Sequence, residues 1–234
     1  MRAWTPAEMP PEMPIQMPDS PVRALLQLAL DGQLGAALRL LEEVHDLVDR
    51  IEVGTPLVIR EGMGAVRRIR ELYPDHLLVA DLKIADAGEL EAEIAFAAGA
   101  DEVTVLAVAA DATVEGAVRA ARRHGGSVTA DSVGLAAPEK RLRRVLELGV
   151  DLVGLHLATD LRISGQQAGR HMDGAAAWVR DLPLLLAGGI GPDNVAHAVA
   201  LRPRVIVVGS AITESAQPRH ATRATLAGMD RFPA

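Results

Sequence analysis

The stretch His76–Leu90, HLLVADLKIADAGEL, joins an apolar run to a loop with three charged residues and then to the start of a helix. Asp81, Lys83 and Asp86 follow the pattern Asp-x-Lys-x-x-Asp, and the helix is predicted to begin at Gly88. Alternating charges pack poorly at the end of a buried strand, whereas chemistry at the carboxyl end of a strand requires polar groups there. The stretch therefore predicts a strand, a functional loop and a helix, in that order.

Apolar runs of this kind recur along the chain and alternate with amphipathic helical segments. Eight strands are predicted in this way: Leu25–Leu30, Leu47–Val53, Leu77–Leu82, Glu102–Ala107, Ser127–Ala130, Leu152–His156, Leu184–Ala187 and Val205–Val208. Eight strand–helix units predict a single-domain (β/α)8 TIM barrel, a fold that begins at roughly 200 residues. A doubly wound open sheet is the alternative, but the glycine-rich first turn typical of that fold does not follow Leu30.

Local signals mark the ends of the predicted helices. Thr55 and Pro56 are typical of an N-cap followed by a first-turn proline, and Pro138 is predicted to open a later helix. Gly99 and Gly149 are predicted to close helices just before strands. These signals place the polar residues that follow each strand in short loops.

The composition indicates one globular domain preceded by an unlike segment. The chain has 234 residues, of which 49% are hydrophobic and 24% charged, enough to bury one large core over residues 22–234. Met1–Pro21 contains six prolines and four methionines, and is predicted to be an extension outside the barrel because it has no periodic apolar face.

Several functional classes are disfavoured by composition. No apolar run approaches the roughly 18 residues that cross a bilayer, and the amino terminus lacks the apolar core of a signal peptide, so we expect a soluble, cytoplasmic protein. The absence of cysteine excludes disulfides, thiolate metal sites and cysteine nucleophiles. A net charge of −7 and 2% aromatic residues argue against a nucleic-acid partner.

Polar residues or glycines stand at or near the carboxyl end of every predicted strand. The carboxyl ends of barrel strands meet at one mouth, so these side chains should converge there. Buried charges are costly unless they are paired or bind an ion, so stability does not explain such a set. The predicted mouth residues are Asp31, Glu52, Asp81 with Lys83, Thr104, Asp131, His156, Gly188 with Gly189, and Gly209 with Ser210.

Three motifs carry a resemblance to a known family. They are Ile51-Glu52-Val53-Gly54-Thr55-Pro56-Leu57, Val79-Ala80-Asp81-Leu82-Lys83-Ile84-Ala85-Asp86-Ala87-Gly88-Glu89 and Ala187-Gly188-Gly189-Ile190. The chain resembles the 3-hexulose-6-phosphate synthase branch of the orotidine-5′-phosphate decarboxylase superfamily from about Ala24 to Thr213. The 3-keto-L-gulonate-6-phosphate decarboxylase branch shares the barrel, the magnesium ion and the Asp-x-Lys-x-x-Asp motif but runs different chemistry.

Roles for the mouth residues follow from their chemistry and from this resemblance. Glu52 and Asp81 are hard oxygen ligands suited to Mg²⁺, which binds at the matching positions in the family. The ion would stabilise the 1,2-enediolate of a ketose phosphate. His156 is the predicted proton carrier, and Lys83 is expected to stay charged and stabilise an oxyanion. Asp31 would hydrogen-bond substrate hydroxyls or Lys83.

The remaining site residues concern phosphate binding and assembly. The glycine-containing turns Gly188-Gly189 and Gly209-Ser210 follow the seventh and eighth strands, where barrels often bind phosphate through backbone N–H groups. Asp131 is a further candidate for substrate binding. Asp86 is displaced along the loop, and the resemblance implies a homodimer in which this residue reaches the partner's active site.

The resemblance implies condensation of formaldehyde with D-ribulose 5-phosphate to D-arabino-hex-3-ulose 6-phosphate, or the reverse reaction. A decarboxylase of a keto-sugar-acid phosphate, related enediolate chemistry on another sugar phosphate, and a catalytically silent sugar-phosphate-binding barrel are the alternatives. The chain departs from the family in segment 161–165, which looks like an insertion, and in Thr159, which stands near the place of an arginine in the decarboxylase branch. Arg162 is a candidate to replace that arginine. The other histidines are predicted to be structural.

Overall fold

A computed structural model describes residues 23–164 and 167–230 of the chain. The predicted extension Met1–Pro21 lies outside the described residues, so its placement stays a prediction. The described part contains the whole set of predicted strands.

Eight parallel strands close into a barrel in sequence order, which confirms the predicted fold and excludes the open sheet. The first and last strands pair directly, with Leu25 opposite Val205 and Leu28 opposite Val208. The strands are β1 Leu25–Leu30, β2 Arg50–Val53, β3 Leu77–Ile84, β4 Glu102–Leu106, β5 Ser127–Asp131, β6 Leu152–His156, β7 Leu184–Ala187 and β8 Val205–Val208.

Helices follow the strands and form the outer layer of the barrel. Gly88 and Pro138 begin helices as predicted, and Gly99 and Gly149 follow helix ends with φ near +100°. The α-helices of the described part are α1 Leu34–Val44, α2 Thr55–Glu61, α3 Met63–Leu72, α4 Gly88–Ala97, α5 Asp111–His124, α6 Pro138–Glu147, α7 Thr159–Ile163, α8 Ala168–Ala175, α9 Val195–Val199, α10 Ser210–Thr213 and α11 Pro218–Met229.

Four strand boundaries differ from the prediction. Two differ by one residue, since β4 ends at Leu106 rather than Ala107 and β5 ends at Asp131 rather than Ala130. β2 begins at Arg50 rather than Leu47, because His45–Leu47 forms a 3₁₀ turn whose carbonyl at His45 accepts the N–H of Val48. β3 continues to Ile84 rather than ending at Leu82, and its pairing with β4 shifts register between Ala80 and Ile84. Apolar periodicity does not distinguish a local turn or a shifted register from a regular strand.

The two faces of the strands differ in chemistry, as the period of two requires. In β1, Leu26, Leu28 and Leu30 are buried in the main apolar core, which also contains apolar residues of the surrounding helices. The buried polar residues of the strands include Gln27, Arg50, Glu52, Asp81, Glu102, Thr104, Thr129 and Asp131.

A buried ion pair joins β2 to β4 at the ends opposite the mouth. Arg50 Nη2 lies 2.7 Å from Glu102 Oε1, and both side chains are 3% exposed or less. Ser127 and Thr129 also donate hydrogen bonds to the Glu102 carboxylate, at 2.9 and 2.7 Å. Such a pair contributes little net stability but is costly to break, so it holds the strand register below the mouth.

Candidate active site

A cavity of about 400 Å³ opens at the carboxyl ends of the strands. It is lined by every residue that the sequence places at the mouth, from Asp31 after β1 to Gly209 and Ser210 after β8. Asp86 does not line it. The other histidines, His45, His76, His124, His171, His197 and His220, lie outside this cavity.

Lys83 sits among carboxylates near the end of β3. Its Nζ contacts Asp81 Oδ2 directly and lies 3.6 Å from Asp131 Oδ2 and 3.2 Å from Thr55 Oγ1. Burial by itself lowers the pKa of Lys83, but the negative charges of Asp81 and Asp131 outweigh burial and raise it above its ordinary value. Lys83 is therefore a positive charge held inside the cavity at neutral pH.

The backbone at Lys83 explains how its ammonium reaches this position. Lys83 has φ +48°, a left-handed conformation that is uncommon for a residue with a side chain. Its N–H donates to Thr104 Oγ1 at 2.9 Å, which holds this conformation against the neighbouring strand. The register shift in β3 and this hydrogen bond together place the Lys83 side chain in the cavity.

Asp81 accepts hydrogen bonds from two threonines. Thr104 Oγ1 donates to Oδ1 at 2.7 Å, and Thr55 Oγ1 lies 2.8 Å from Oδ2. Thr55 is the first residue of α2 and Gly54 is its N-cap, so the predicted capping role of Thr55 is wrong. A Cβ at Gly54 would overlap Asp31 Oδ1, so the glycine allows β1 and β2 to end side by side at the mouth.

His156 and Asp131 form a hydrogen-bonded pair between adjacent strands. His156 Nδ1 lies 2.8 Å from Asp131 Oδ2, and the His156 backbone N–H donates to Ser132 Oγ at 3.0 Å. Burial would raise the pKa of Asp131, but hydrogen bonding and charge from His156, with the charge of Lys83, lower it below its ordinary value. Asp131 is thus an anion that orients the imidazole, beyond the substrate contact predicted for it.

Two further carboxyl groups are held in the cavity against their preference for water. Burial, and then the charge of Asp81, raise the pKa of Glu52 to about 8 and also raise the pKa of Asp31. Gln27 Nε2 donates to Glu52 Oε2 at 2.5 Å. Neighbouring acidic side chains with raised pKa values are a favourable environment for a cation.

The carboxylates of Glu52 and Asp81 fit Mg²⁺ better than they fit a metal ion whose ligands all come from the protein. Over residues 23–164 and 167–230, no group of three or more His, Asp or Glu side chains is arranged to hold an ion. Mg²⁺ commonly takes one or two carboxylates and fills its shell with water and substrate oxygens. Glu52 and Asp81, both buried at the mouth, supply oxygen donors of that kind.

Asp86 lies on the exposed surface between β3 and α4. Its Oδ1 accepts the N–H of Ala87 at 2.8 Å, which supports the left-handed turn at Ala87 (φ +49°) before α4. Leu90 and Ile94, one turn apart on α4, are 64% and 50% exposed. The displacement of Asp86 from its own cavity agrees with the sequence prediction.

The two positions after β7 can be occupied only by glycine without strain or overlap. Gly188 and Gly189 have φ +101° and +73°, and a Cβ at Gly188 would overlap the carbonyl oxygen of Leu157. Both glycines also line the cavity.

Sequence reasoning missed two residues that support the site and undervalued a third. Gln27 is the one polar residue of the strand LLQLAL, a signal that its side chain faces the barrel interior. Ser132 gave no signal beyond its place after Asp131. Thr55 stands in a motif that carries the resemblance, but its contact with Asp81 depends on the pairing of β2 with β3.

Comparison with known proteins places this site in a family. The model described as "Orotidine 5'-phosphate decarboxylase / HUMPS family" matches residues 24–225. The chain belongs to this family. The resemblance inferred from the three motifs is therefore confirmed.

Among curated relatives of this orotidine 5′-phosphate decarboxylase/HUMPS family member are 3-hexulose-6-phosphate synthases. The protein of that name from Bacillus subtilis (strain 168) is 37% identical over 82% of this chain and 91% of its own length. The one from Mycobacterium gastri is 38% identical over 85% and 96%. The protein is accordingly an enzyme, a carbon–carbon lyase of the aldehyde-lyase type.

Solved structures agree with this family membership. 3-Hexulose-6-phosphate synthase from Salmonella typhimurium superposes with a TM-score of 0.83 at 38% identity, over 88% of this chain and 98% of the other. The 3-keto-L-gulonate-6-phosphate decarboxylase from Vibrio cholerae has a TM-score of 0.80 at 29% identity, over 90% and 99%. The described helices include none long and apolar enough to span a bilayer.

Proposed function

We propose that the enzyme condenses formaldehyde with D-ribulose 5-phosphate to give D-arabino-hex-3-ulose 6-phosphate, and catalyses the reverse cleavage. The proposal is supported by relatives at 34–38% identity named 3-hexulose-6-phosphate synthase. The observation that carries it is the hydrogen-bonded pair of His156 and Asp131 in the cavity at the barrel mouth. Asp131 Oδ2 in this pair lies 3.6 Å from Lys83 Nζ. Such a site can remove a proton next to a carbonyl and stabilise the resulting anion.

His156 would move the proton. With Nδ1 donating to Asp131, the other ring nitrogen, Nε2, takes the proton from C1 of ribulose 5-phosphate. The electrons of the broken C–H bond form the C1–C2 double bond of an enediolate, whose C1 then attacks the carbon of formaldehyde. The new C–C bond leaves an alkoxide on the former formaldehyde oxygen, and a proton returns to that oxygen.

Lys83 would stabilise the negative charge that develops on the substrate oxygens. Its charge is maintained by Asp81 and Asp131, and its position by the hydrogen bond from its N–H to Thr104. A fixed ammonium in a site shielded from water stabilises an oxyanion without reorganising. Asp31 lines the same cavity and would accept hydrogen bonds from substrate hydroxyls.

Glu52 and Asp81 would hold Mg²⁺, as their oxygen donors and the raised pKa of Glu52 favour. When bound, the ion would supply a Lewis acid for the adjacent carbonyl and hydroxyl oxygens of the ketose. Gln27 keeps Glu52 oriented through its hydrogen bond. The backbone at Gly188, Gly189 and Gly209, which lines the cavity, would receive the phosphate.

The enzyme would act as a homodimer in which Asp86 completes the partner's cavity. Asp86 is exposed outside its own cavity, and it is followed by the exposed apolar side chains of Leu90 and Ile94. In the proposed dimer, the partner subunit would cover these two side chains.

The test is NMR of the purified protein in D₂O with Mg²⁺, ribulose 5-phosphate and ¹³C-formaldehyde. Deuterium exchange at C1 is expected, together with a new ¹³C signal of hexulose 6-phosphate that comes from the labelled carbon of formaldehyde. Exchange without product would contradict formaldehyde as the electrophile and leave the enediolate step standing. If neither signal appears and the enzyme instead decarboxylates 3-keto-L-gulonate 6-phosphate, the proposed reaction is contradicted and the decarboxylase alternative is supported.

A further inference from the structure

Arg162 lies across the glycine turn after β7. It belongs to α7, which follows β6, and lines the cavity at the mouth. A Cβ built on Gly189 would lie 2.7 Å from Arg162 Cδ and 3.3 Å from Nη1. The absence of a side chain at Gly189 thus lets the arginine stem and its guanidinium lie against the turn.

The guanidinium of Arg162 has no partner within the described part of the chain. Its Nε is buried and makes no hydrogen bond, and no carboxylate oxygen of the described residues lies within 4.0 Å of its nitrogens. Glu214 lines the same cavity but forms no ion pair there. A buried donor without an acceptor is unfavourable, which indicates a site that is completed by a ligand.

The charge balance of the cavity supports an anionic ligand at this place. Lys83 is engaged by Asp81 and Asp131, and His156 by Asp131. Of the arginine and lysine side chains that line the cavity in the described residues, Arg162 alone has no acidic partner. A dianionic group that enters the cavity would therefore be attracted to Arg162.

We propose that Arg162 binds the phosphate of the sugar phosphate, together with the backbone of the Gly188–Gly189 turn. This inference rests on the proposed function for the identity of the substrate. A guanidinium presents a planar fork of N–H donors that matches two phosphate oxygens, whereas a backbone turn supplies single donors. The loop after β6, in which this chain differs from the family pattern, thereby makes the enzyme selective for phosphorylated substrates.

The first experiment measures binding of inorganic phosphate by ³¹P NMR titration, without turnover. Arg162→Ala is compared with the parent and with Arg180→Ala, a matched control that removes an exposed arginine outside the cavity. A loss of phosphate affinity of roughly tenfold to hundredfold is expected for Arg162→Ala only, as for a hydrogen-bonded charge pair. Phosphate affinity equal in all three proteins, or absent from the parent, would overturn the proposal.

The second experiment separates phosphate binding from catalysis. Arg162→Ala should raise the KM for ribulose 5-phosphate by a similar factor, leave the KM for formaldehyde unchanged, and regain activity in guanidinium at non-denaturing concentration. Arg162→Lys should be intermediate, because it keeps the charge but loses the fork. Equal loss of kcat/KM on ribulose lacking phosphate would refute phosphate recognition.

The two proposals fail in different ways. If the parent enzyme forms no hexulose phosphate but Arg162→Ala still lowers the affinity for phosphate, the proposed reaction is contradicted and the role of Arg162 is supported. A parent enzyme that forms product, with an Arg162→Ala variant of unchanged KM, would support the reaction and overturn the role of Arg162.

Discussion

Asp131 Oδ2 lies 2.8 Å from His156 Nδ1, and the pair bridges the ends of the adjacent strands β5 and β6. The carboxylate fixes the ring so that Nε2 is available to the cavity. A second hydrogen bond, from the N–H of Val133 to Asp131 Oδ1 at 2.8 Å, fixes the carboxylate in turn. The orientation of the predicted base is therefore determined by two strands and one loop.

This relationship predicts a graded loss of proton transfer. His156→Ala should lower C1 deuterium exchange by about 100-fold or more, because a positioned base contributes that factor. Asp131→Asn should cause a smaller loss, since the imidazole remains but its orientation and stabilising charge are altered. His220→Ala, an exposed histidine outside the cavity, is the control. Unchanged exchange in His156→Ala would contradict its assignment as base.

The proposed dimer predicts complementation between two inactive variants. Asp81→Ala should abolish Mg²⁺-dependent turnover, and Asp86→Ala should be inactive because its partner's cavity is incomplete. In a mixed dimer one site has both residues intact, so an equimolar mixture that exchanges subunits should regain about one quarter of parental activity. Undiminished activity in Asp81→Ala would contradict the metal assignment, and no regain in a mixture shown to form mixed dimers would contradict the shared site.

Removal of Met1–Asp19 is predicted to leave kcat and KM nearly parental, because the segment is predicted to lie outside the barrel. The measurement is a comparison of the steady-state kinetics of the truncated and full-length enzymes at equal concentration. Thermal unfolding of both proteins is measured as the control for stability. A large fall in kcat at unchanged stability would show that the segment contributes to the site.

The contact between α4 and α5 predicts a steric effect on stability. A Cβ at Gly88 would overlap the carbonyl oxygen of Thr113, so Gly88→Ala should lower the free energy of unfolding by about 1–3 kcal/mol. Gly64→Ala in α3 is the matched control, because nothing lies within 4 Å of its Cβ position, and it should be neutral or stabilise by about 0.5 kcal/mol. Denaturant unfolding distinguishes the two, and equal effects would contradict the contact.

The ion pair between Asp46 and Arg219 predicts a pH dependence of stability. Hydrogen bonds from Arg219, at 2.6 Å to each carboxylate oxygen, lower the pKa of Asp46 from 3.8 to about 2. A lowered folded-state pKa means that the contribution is present above pH 3.8 and is lost as pH falls through about 2. The difference in Tm between the parent and Asp46→Asn should therefore be positive at pH 5, small because the pair is exposed, and shrink towards pH 2. A difference that does not change with pH would refute this linkage.

Much of the fold was predictable because it rests on short-range patterns. Apolar runs with polar ends at Asp31, Glu52 and Asp131 predict buried parallel strands, and parallel strands in a closed barrel bring those ends together. The start of β2 and the register shift in β3 were not predictable, since a local turn and a displaced pairing leave the same apolar residues in place.

The sequence by itself determined the barrel, the family and the residue types at the mouth, because each depends on alternation and motif within one segment. Only the tertiary structure decided which groups touch. Thr55 reaches Asp81 because β2 pairs with β3, Asp131 meets His156 because β5 pairs with β6, and Arg162 lies on Gly189 because the loop after β6 crosses the turn after β7. The physical reason is that these distances join residues of different segments, and only closure of the barrel brings those segments together.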